Sequence, residues 1–328
     1  MTRAGAPPPT ARHSVMAVVV GVVVALIAGC APVGAESDRV APPSQPLYPE
    51  FVSYPEVEVL EDVDYGAGAA DIRLDVCLPD DDDSPAGTNA TTEAPARAAM
   101  LSVHGGSWRQ GDKSDIPWRS VCQWFASEGF VTFSMNYRLA PEHPFPAAID
   151  DLREAVRWIR DATQVQRFDL DPARIGAFGG SAGGNLVSLL GLEGEGDHTS
   201  GTRVAAVAEL SGPIDLTTAG FSLGGVLPDF QKVQLDYLGC STYSDCPPAR
   251  AASPLYEVDA SDPPFFVGHS VDERIPIEQS DALVERLREA GVSTEYVTVD
   301  GSAHSIAMLD DELRDRIITW LRERLAPE

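Results

Sequence analysis

A serine lies at the apex of a glycine-rich turn in the middle of the chain. The apolar run 175–178 leads into Gly179-Gly180-Ser181-Ala182-Gly183, and a helix-forming run follows. This matches G-x-S-x-G, in which a strand turns directly into a helix and presents a serine hydroxyl. Side chains two positions before and after the serine would collide in so tight a turn, so we expect Gly179 and Gly183 to be required. An ordinary strand-to-helix turn can carry the same pattern, so the motif needs support from the rest of the chain.

Around this turn, strand-like and helix-like runs alternate, which predicts a mostly parallel sheet with helices on both faces. Two β-rich runs at 57–60 and 72–76 come first and predict an antiparallel pair at a sheet edge. The other predicted strands are 99–103, 130–134, 175–178, 204–210, 265–267 and 294–299, and the predicted helices are 118–127, 145–160, 277–290 and 306–325. Residues 212–255 break the alternation, and we expect this insertion to form a lid above the carboxyl ends of the strands.

A serine nucleophile needs a base, and the base needs an orienting acid. With this type of turn, the chain order is serine, acid, histidine. His304 follows the last predicted strand and is the expected base, whereas His269 lies too near the strand that should supply the acid. Asp272, in the loop after the strand 265–267, is the expected acid, and its neighbour Glu273 is the rival.

The segment His104-Gly105-Gly106-Ser107-Trp108 follows a predicted buried strand. Glycines after such a strand let backbone amides point at a substrate oxygen, as in HGGG-type oxyanion holes. We expect the amides of Gly106, Ser107 and Ala182 to form an oxyanion hole. Trp108 is expected to line the acyl pocket, and His104 to hold the loop by hydrogen bonding.

Three segments together resemble the esterases of the hormone-sensitive-lipase and BD-FAE groups, over about residues 55–325. They are the loop at 104–113, the stretch Asn136-Tyr137-Arg138-Leu139-Ala140-Pro141 with its continuation to 147, and Gly179 to Gly184. The resemblance implies an α/β-hydrolase fold and hydrolysis of short-chain carboxylic esters through an acyl-enzyme. It implies a small-molecule ester substrate, with no metal or organic cofactor. The Trp-x-x-Gly-Asp-Lys stretch favours the BD-FAE side.

Two positions depart from these families. The hormone-sensitive-lipase pattern has aspartate before the nucleophile, where this chain has Gly180. The acid loop of the families reads His-Gly-x-x-Asp-x-x-Val-Pro, and an ungapped alignment of residues 268–276 puts Asp272 on the acid. Within the stretch that continues to 147, Arg138 is expected to pair with Asp150 or Asp151.

The first 30 residues resemble an export signal. Arg3 and Arg12 precede an apolar run at 15–29, shorter than the roughly 20 residues of a spanning helix. Residues 27–30, Ile-Ala-Gly-Cys, resemble a bacterial lipobox, in which Cys30 is lipidated; an uncleaved anchor is the alternative. We therefore expect a signal peptide at 1–29, a tether at 30–55 and a hydrolase domain at 56–328. The protein is expected to be lipid-anchored to the outer face of the bacterial cell membrane.

The charge argues against one class of partner, and the cysteine content fits export. With 50 acidic and 24 basic residues, the net charge of −26 repels phosphate backbones and argues against a nucleic-acid partner. Apart from Cys30, four cysteines remain, for which three pairings are possible. Cys240 and Cys246 flank a short turn, which suggests one disulfide and leaves Cys77 with Cys122. No cysteine or histidine cluster suggests a metal.

Two other functions stay open at this point. The same set of residues serves amidases, arylformamidases and peptidases, which differ only in the bond that they cleave. A non-catalytic surface binding module, built on a hydrolase that has lost its activity, belongs to a different class. Oligomeric state is not predicted.

Overall fold

Eight strands form one sheet through the protein, whose computed structural model describes residues 51–66, 72–80 and 96–327. The strands are β1 (Glu58–Asp64), β2 (Arg73–Leu78), β3 (Arg97–Val103), β4 (Val131–Met135), β5 (Leu170–Gly180), β6 (Ala206–Leu210), β7 (Phe265–Ser270) and β8 (Thr294–Val299). Their order is β1-β2-β4-β3-β5-β6-β7-β8. β2 pairs antiparallel with both of its neighbours, and all the other pairs are parallel. The predicted antiparallel edge and parallel body are both confirmed.

Eight α-helices and several short 3₁₀ turns lie between and after the described strands. The helices are α1 (Ile116–Ser127), α2 (Ala147–Arg160), α3 (Ala162–Phe168), α4 (Ala182–Leu192), α5 (Pro228–Leu238), α6 (Pro248–Ala251), α7 (Ile277–Glu289) and α8 (Asp311–Arg324). None of these helices, nor any other in the described ranges, is long and apolar enough to cross a bilayer.

The core lies in two layers, one on each face of the sheet. Met100 and Leu101 are consecutive residues of β3, and each is buried in a different hydrophobic cluster. Successive side chains of a strand point to opposite faces, so the two clusters lie on opposite sides of the sheet. α2, α4 and α7 contribute to the cluster of Leu101, and α1 and α8 to that of Met100. Helices therefore cover both faces, as the alternation predicts.

Two differences from the predicted helices are explained by aspartates that cap helix N-termini. α3 was not predicted; it begins because the side chain of Asp161 accepts a hydrogen bond from the amide of Thr163. The helix predicted at 306–325 starts only at Asp311, after a separate 3₁₀ turn at Ser305–Met308. The side chain of Asp310 caps it by accepting from the amide of Leu313 at 2.8 Å.

The segment predicted as a lid, 212–255, contains α5, α6 and short 3₁₀ turns. One disulfide, Cys240–Cys246, closes a turn within it, with 5.5 Å between the Cα atoms. The other, Cys77–Cys122, joins β2 to α1 and is fully buried. The structure thus contains both suggested pairings. The signal peptide, Cys30 and most of the tether lie outside the described residues.

A buried ion pair holds the loop after β4 against α2. Asp151 is 2% exposed and accepts from the backbone amide of Arg138 at 2.8 Å and from its guanidinium. Of the two predicted partners of Arg138, Asp151 is confirmed. Asp150 instead pairs at the surface with Arg153.

We predict that Asp151→Ala lowers the free energy of unfolding by about 2–3 kcal/mol, because the amide and guanidinium of Arg138 lose their acceptor. Asp150→Ala, which removes the same groups from a half-exposed position, should cost no more than about 0.5 kcal/mol. Urea unfolding of both variants measures the difference. Equal losses at the two positions would contradict the structural role given to Asp151.

Candidate active site

Ser181 lies between the last residue of β5 and the first residue of α4. Its backbone has φ 57° and ψ −122°, a strained conformation for a residue other than glycine. The amide of Ser181 donates to the carbonyl of Leu210, at the end of β6, with a distance of 2.8 Å. The neighbouring strand therefore fixes the serine in this conformation at the carboxyl edge of the sheet.

The flanking glycines are required because the turn leaves no room for a Cβ atom. A Cβ on Gly179 would lie 2.4 Å from the carbonyl oxygen of Gly183. One on Gly183 would lie 2.1 Å from the carbonyl oxygen of Val103, at the end of β3. The steric prediction is confirmed at both positions.

Gly180 is explained by a contact on the other side of the turn. A Cβ atom there would lie 2.0 Å from the hydroxyl of Ser305. Ser305 is buried, has φ 59°, and donates its backbone amide to the hydroxyl of Ser211. A side chain at position 180, such as the aspartate of the hormone-sensitive-lipase pattern, therefore requires the hydroxyl of Ser305 to move.

A cavity of about 590 Å³ opens at this edge of the sheet. Ser181 and His304 both line it, as do Gly106 and Ser107 from the loop after β3. Ala182, the third predicted oxyanion donor, directly follows Ser181 as the first residue of α4. The structure therefore brings the predicted nucleophile, base and amide donors to one edge of the sheet.

The carboxylate that meets His304 belongs to Glu273, and the prediction of Asp272 as its partner is wrong. Oε2 of Glu273 contacts Nδ1 of His304. Asp272 is exposed, and its backbone amide donates to the carbonyl of Gly301 at 2.9 Å. This bond extends the pairing of β7 with β8 by two residues beyond Ser270, and Glu273 is the first residue after it.

The sequence contains a signal for Glu273 that competes with the signal for Asp272. The family loop has its acid four residues after a histidine, and Glu273 stands four residues after His269. Alignment on Pro276 instead of His269 selects Asp272. The loop between acid and proline is one residue shorter than in the family pattern, and only the structure shows on which side the deletion falls.

The Glu273 carboxylate is buried between two imidazoles, with no exposed side-chain surface. Burial alone would raise its pKa. The contacts with His269 and His304 outweigh burial and hold the pKa of Glu273 below its usual value. The buried carboxyl is therefore kept in its charged form next to His304.

Trp108 does not line the cavity, which corrects the prediction that it belongs to the acyl pocket. Its ring is fully buried and stacks on Tyr237 with centroids 4.3 Å apart. Phe230 of α5 lies between Trp108 and the cavity. Its ring stacks on Trp108 with centroids 6.3 Å apart, and Phe230 itself lines the cavity. Sequence spacing cannot reveal this, because it depends on how the insertion packs against the loop.

His104 has the supporting position that was predicted for it. Its Nδ1 lies 2.7 Å from the carbonyl oxygen of Gly105, and its ring stacks on Tyr137. Burial lowers the pKa of His104, which keeps the ring neutral. A Cβ on Gly111 would approach Nδ1 of His104 to 2.5 Å, so the loop closes tightly over this ring.

Within the described ranges, no three His, Cys, Asp or Glu side chains are grouped as a metal site.

Comparison with known proteins agrees with this architecture. The family model BD-FAE matches residues 88–287. Esterase LipC of Mycobacterium tuberculosis is 34% identical over 222 residues, which are 64% of this chain and 53% of LipC. Esterase LipQ of the same organism is 30% identical over 78% of this chain and 59% of LipQ. The chain thus spans little more than half the length of these relatives.

Among solved structures, an esterase of Thermogutta terrifontis, Est2 with propionate bound, has a TM-score of 0.61 and 25% identity. The match covers 85% of this chain and 98% of Est2. The whole α/β-hydrolase body of this protein therefore corresponds to nearly all of a known esterase.

A second buried carboxyl lies beneath the turn that carries Ser181. Glu209, on β6, is fully buried, and its Oε2 accepts from the amide of Gly212 at 2.8 Å. Its Oε1 has no hydrogen-bond partner among the described residues. Burial raises the pKa of Glu209 to about 7, against an ordinary value of 4.5.

Because folding raises the pKa of Glu209, its contribution to stability is fully present below pH 4.5 and is lost as the pH rises through about 7. The Glu209→Gln variant lacks this pH dependence. We predict that, from pH 4.5 to pH 8, its free energy of unfolding rises by about 3 kcal/mol relative to that of the wild type. Urea unfolding across that range measures the gain, and other titrating groups cancel because both proteins carry them. The exposed Glu257→Gln is the control, and parallel curves for all three proteins would contradict the prediction.

Proposed function

The chain belongs to the BD-FAE family, and on that basis we propose that it hydrolyses carboxylic esters with Ser181 as nucleophile, His304 as base and Glu273 as acid. One observation carries the proposal. A serine on a strained strand-to-helix turn shares a cavity with an imidazole whose other side meets a buried carboxylate. The relatives LipC and LipQ are esterases, which supports the same chemistry in this chain.

In the proposed reaction, the hydroxyl of Ser181 attacks the acyl carbonyl while Nε2 of His304 takes its proton. The contact of Nδ1 with Glu273 leaves Nε2 as the ring nitrogen available for this step. His304 then gives the proton to the leaving alcohol, and an acyl-serine remains. Water, activated by the same imidazole, releases the acid and restores the serine. Glu273 keeps the imidazole oriented and stabilises its charged form at each stage.

Backbone amides supply the remaining stabilisation in this proposal. The carbonyl oxygen gains negative charge when serine attacks, and donors at Gly106, Ser107 and Ala182 would receive it. The N-terminus of α4 adds a favourable dipole at the same point. Loss of one oxyanion donor typically costs about 3–4 kcal/mol of transition-state stabilisation.

The lining of the cavity combines apolar and polar groups. Apolar side chains of Ile116, Trp118 and Phe230 line it, together with polar groups such as Gln110 and Arg274. Its volume of about 590 Å³ lies within the range of small-ligand sites. Propionate is the ligand of the structurally similar Est2. We therefore propose short-chain esters as substrates.

The proposal also includes attachment of the protein to the outer face of the cell membrane through Cys30. The apolar run at 15–29 ends in Ile-Ala-Gly-Cys, and the four other cysteines are paired in two disulfides. Disulfides persist mainly in oxidising compartments, so the pairing supports export.

We expect Glu273→Gln to lower kcat for p-nitrophenyl acetate by about 10³- to 10⁴-fold, because the neutral amide no longer stabilises the charged imidazole. Asp272→Asn removes a charge from the adjacent residue and should change kcat by less than about twofold, since Asp272 is exposed.

Ser181→Ala should abolish both turnover and labelling by a fluorophosphonate, while leaving the protein folded. Acetyl and propionyl esters should be hydrolysed faster than the palmitoyl ester.

These variants also separate the alternatives. Retained turnover in Ser181→Ala would refute the serine mechanism, and a wild-type protein that resists the fluorophosphonate would indicate a binding module. A larger loss in Asp272→Asn than in Glu273→Gln would restore the aspartate as the acid. Faster hydrolysis of p-nitroacetanilide than of the matching ester would favour the amidase alternative.

Globomycin, which blocks lipoprotein signal cleavage, should slow the protein's gel mobility in a bacterial host. Cys30→Ala should move the protein from the membrane fraction to the soluble fraction or leave it unprocessed, because the lipid acceptor is lost. Fractionation and immunoblotting measure both effects. A Cys30→Ala protein that is processed and localised like the wild type would contradict lipidation.

A further inference from the structure

A second histidine, His269, lies on the far side of the Glu273 carboxylate from His304. It is the fifth residue of β7 and is fully buried. Its Nε2 lies 3.0 Å from Oε1 of Glu273 and 2.8 Å from the carbonyl oxygen of Ile275. Its Nδ1 lies 2.7 Å from the hydroxyl of Ser280, on α7. The imidazole is thus held on both of its nitrogens.

The partners of Nε2 determine where the ring carries its proton. The carbonyl of Ile275 and the ionised carboxylate of Glu273 are both acceptors only. Nε2 must therefore be protonated whenever Glu273 is charged. Ser280 can either donate to Nδ1 or accept from it, so the ring is compatible with a neutral and with a charged state.

Each oxygen of the Glu273 carboxylate faces a different histidine. Oε2 contacts His304, while Oε1 is buried and has no well-aligned hydrogen-bond donor among the described residues. The proton on Nε2 of His269 points mainly at the carbonyl of Ile275, so Oε1 receives a close polar contact. A buried carboxylate oxygen is costly without such a neighbour. His269 is the group that reduces this cost.

We propose that His269 is a positioning residue that fixes the orientation and charge of the Glu273 carboxylate for its contact with His304. The inference rests on the proposed function, because it assigns His269 a part in that reaction through Glu273. Ser280, His269, Glu273 and His304 then form one continuous line of contacts from α7 to the cavity, which Ser181 also lines. His269 does not itself reach the reacting atoms.

The charges around His269 fit this role. Glu273 in the loop after β7 contacts it directly, His304 lies beyond that carboxylate, and Glu209 on β6 acts on it from the neighbouring strand. Burial alone would lower the pKa of His269, but Glu273, the carbonyl of Ile275 and Glu209 outweigh burial and raise it. The ring is therefore biased towards the form that best neutralises a buried carboxylate.

A double-mutant cycle tests the inference with p-nitrophenyl acetate as substrate. His269→Phe keeps a ring of similar size but removes the donor, and we expect kcat to fall by roughly 10- to 100-fold with little change in KM. The low-pH limb of the kcat/KM profile should move to higher pH, because Glu273 then loses a neighbour that keeps its pKa low. In a Glu273→Gln background, His269→Phe should change kcat by less than about twofold and leave the profile unmoved.

Thermal unfolding of the wild type, the two single variants and the double variant shows whether a loss of kcat accompanies a loss of folded protein. A merely structural role for His269 predicts the same fractional loss of kcat in both backgrounds and an unmoved pH profile. That outcome would overturn the inference. A wild-type protein that resists fluorophosphonate would instead overturn the proposed function, and the inference with it.

Ser280→Ala provides a milder test if His269→Phe fails to fold. It leaves both histidines and Glu273 in place and removes only the partner of Nδ1. We expect a smaller loss of kcat, by about two- to tenfold, that disappears in the Glu273→Gln background. Losses of equal size in the two backgrounds would count against the line from α7 to the cavity.

Discussion

The site depends on a close approach of backbone to backbone at the turn that carries Ser181. Gly183 lies against the carbonyl of Val103 from β3, and Gly179 against Gly183 itself. The hydrogen bond from Ser181 to Leu210 ties the same turn to β6. Strain at one residue is tolerated because the two adjacent strands of the sheet constrain it. The sheet therefore acts as a rigid support, and the serine takes its position from strand order more than from its own side-chain contacts.

A buried negative charge is the second constraint, and it shapes the region between β7 and α7. Carboxylates are rarely buried without partners, since desolvation disfavours the charged form. Glu273 has two histidines as partners, whereas Glu209, with only a backbone amide, has a pKa near neutrality. The two carboxyls lie in one region of the fold and differ in their neighbours. This difference keeps Glu273 ionised beside His304, while Glu209 can remain protonated.

The fold was predictable because hydrophobic runs and glycines record it locally. The antiparallel edge, the parallel body and the requirement for Gly179 and Gly183 all follow from short-range patterns. The partner of His304 did not follow, because Asp272 and Glu273 are adjacent acids and the choice depends on how far β7 pairs with β8. Trp108 was placed in the wrong environment for a related reason. Its burial is set by Phe230 and Tyr237, more than a hundred residues away in the sequence.

The contact between Gly180 and Ser305 links two positions that sequence comparison would treat as independent. A side chain at 180 needs the space that the hydroxyl of Ser305 fills, and Ser305 is fixed by its own left-handed backbone and by Ser211. A substitution of Gly180 is therefore conditional on the side chain at position 305. Any redesign of the turn that carries Ser181 has to treat these two loops as one unit.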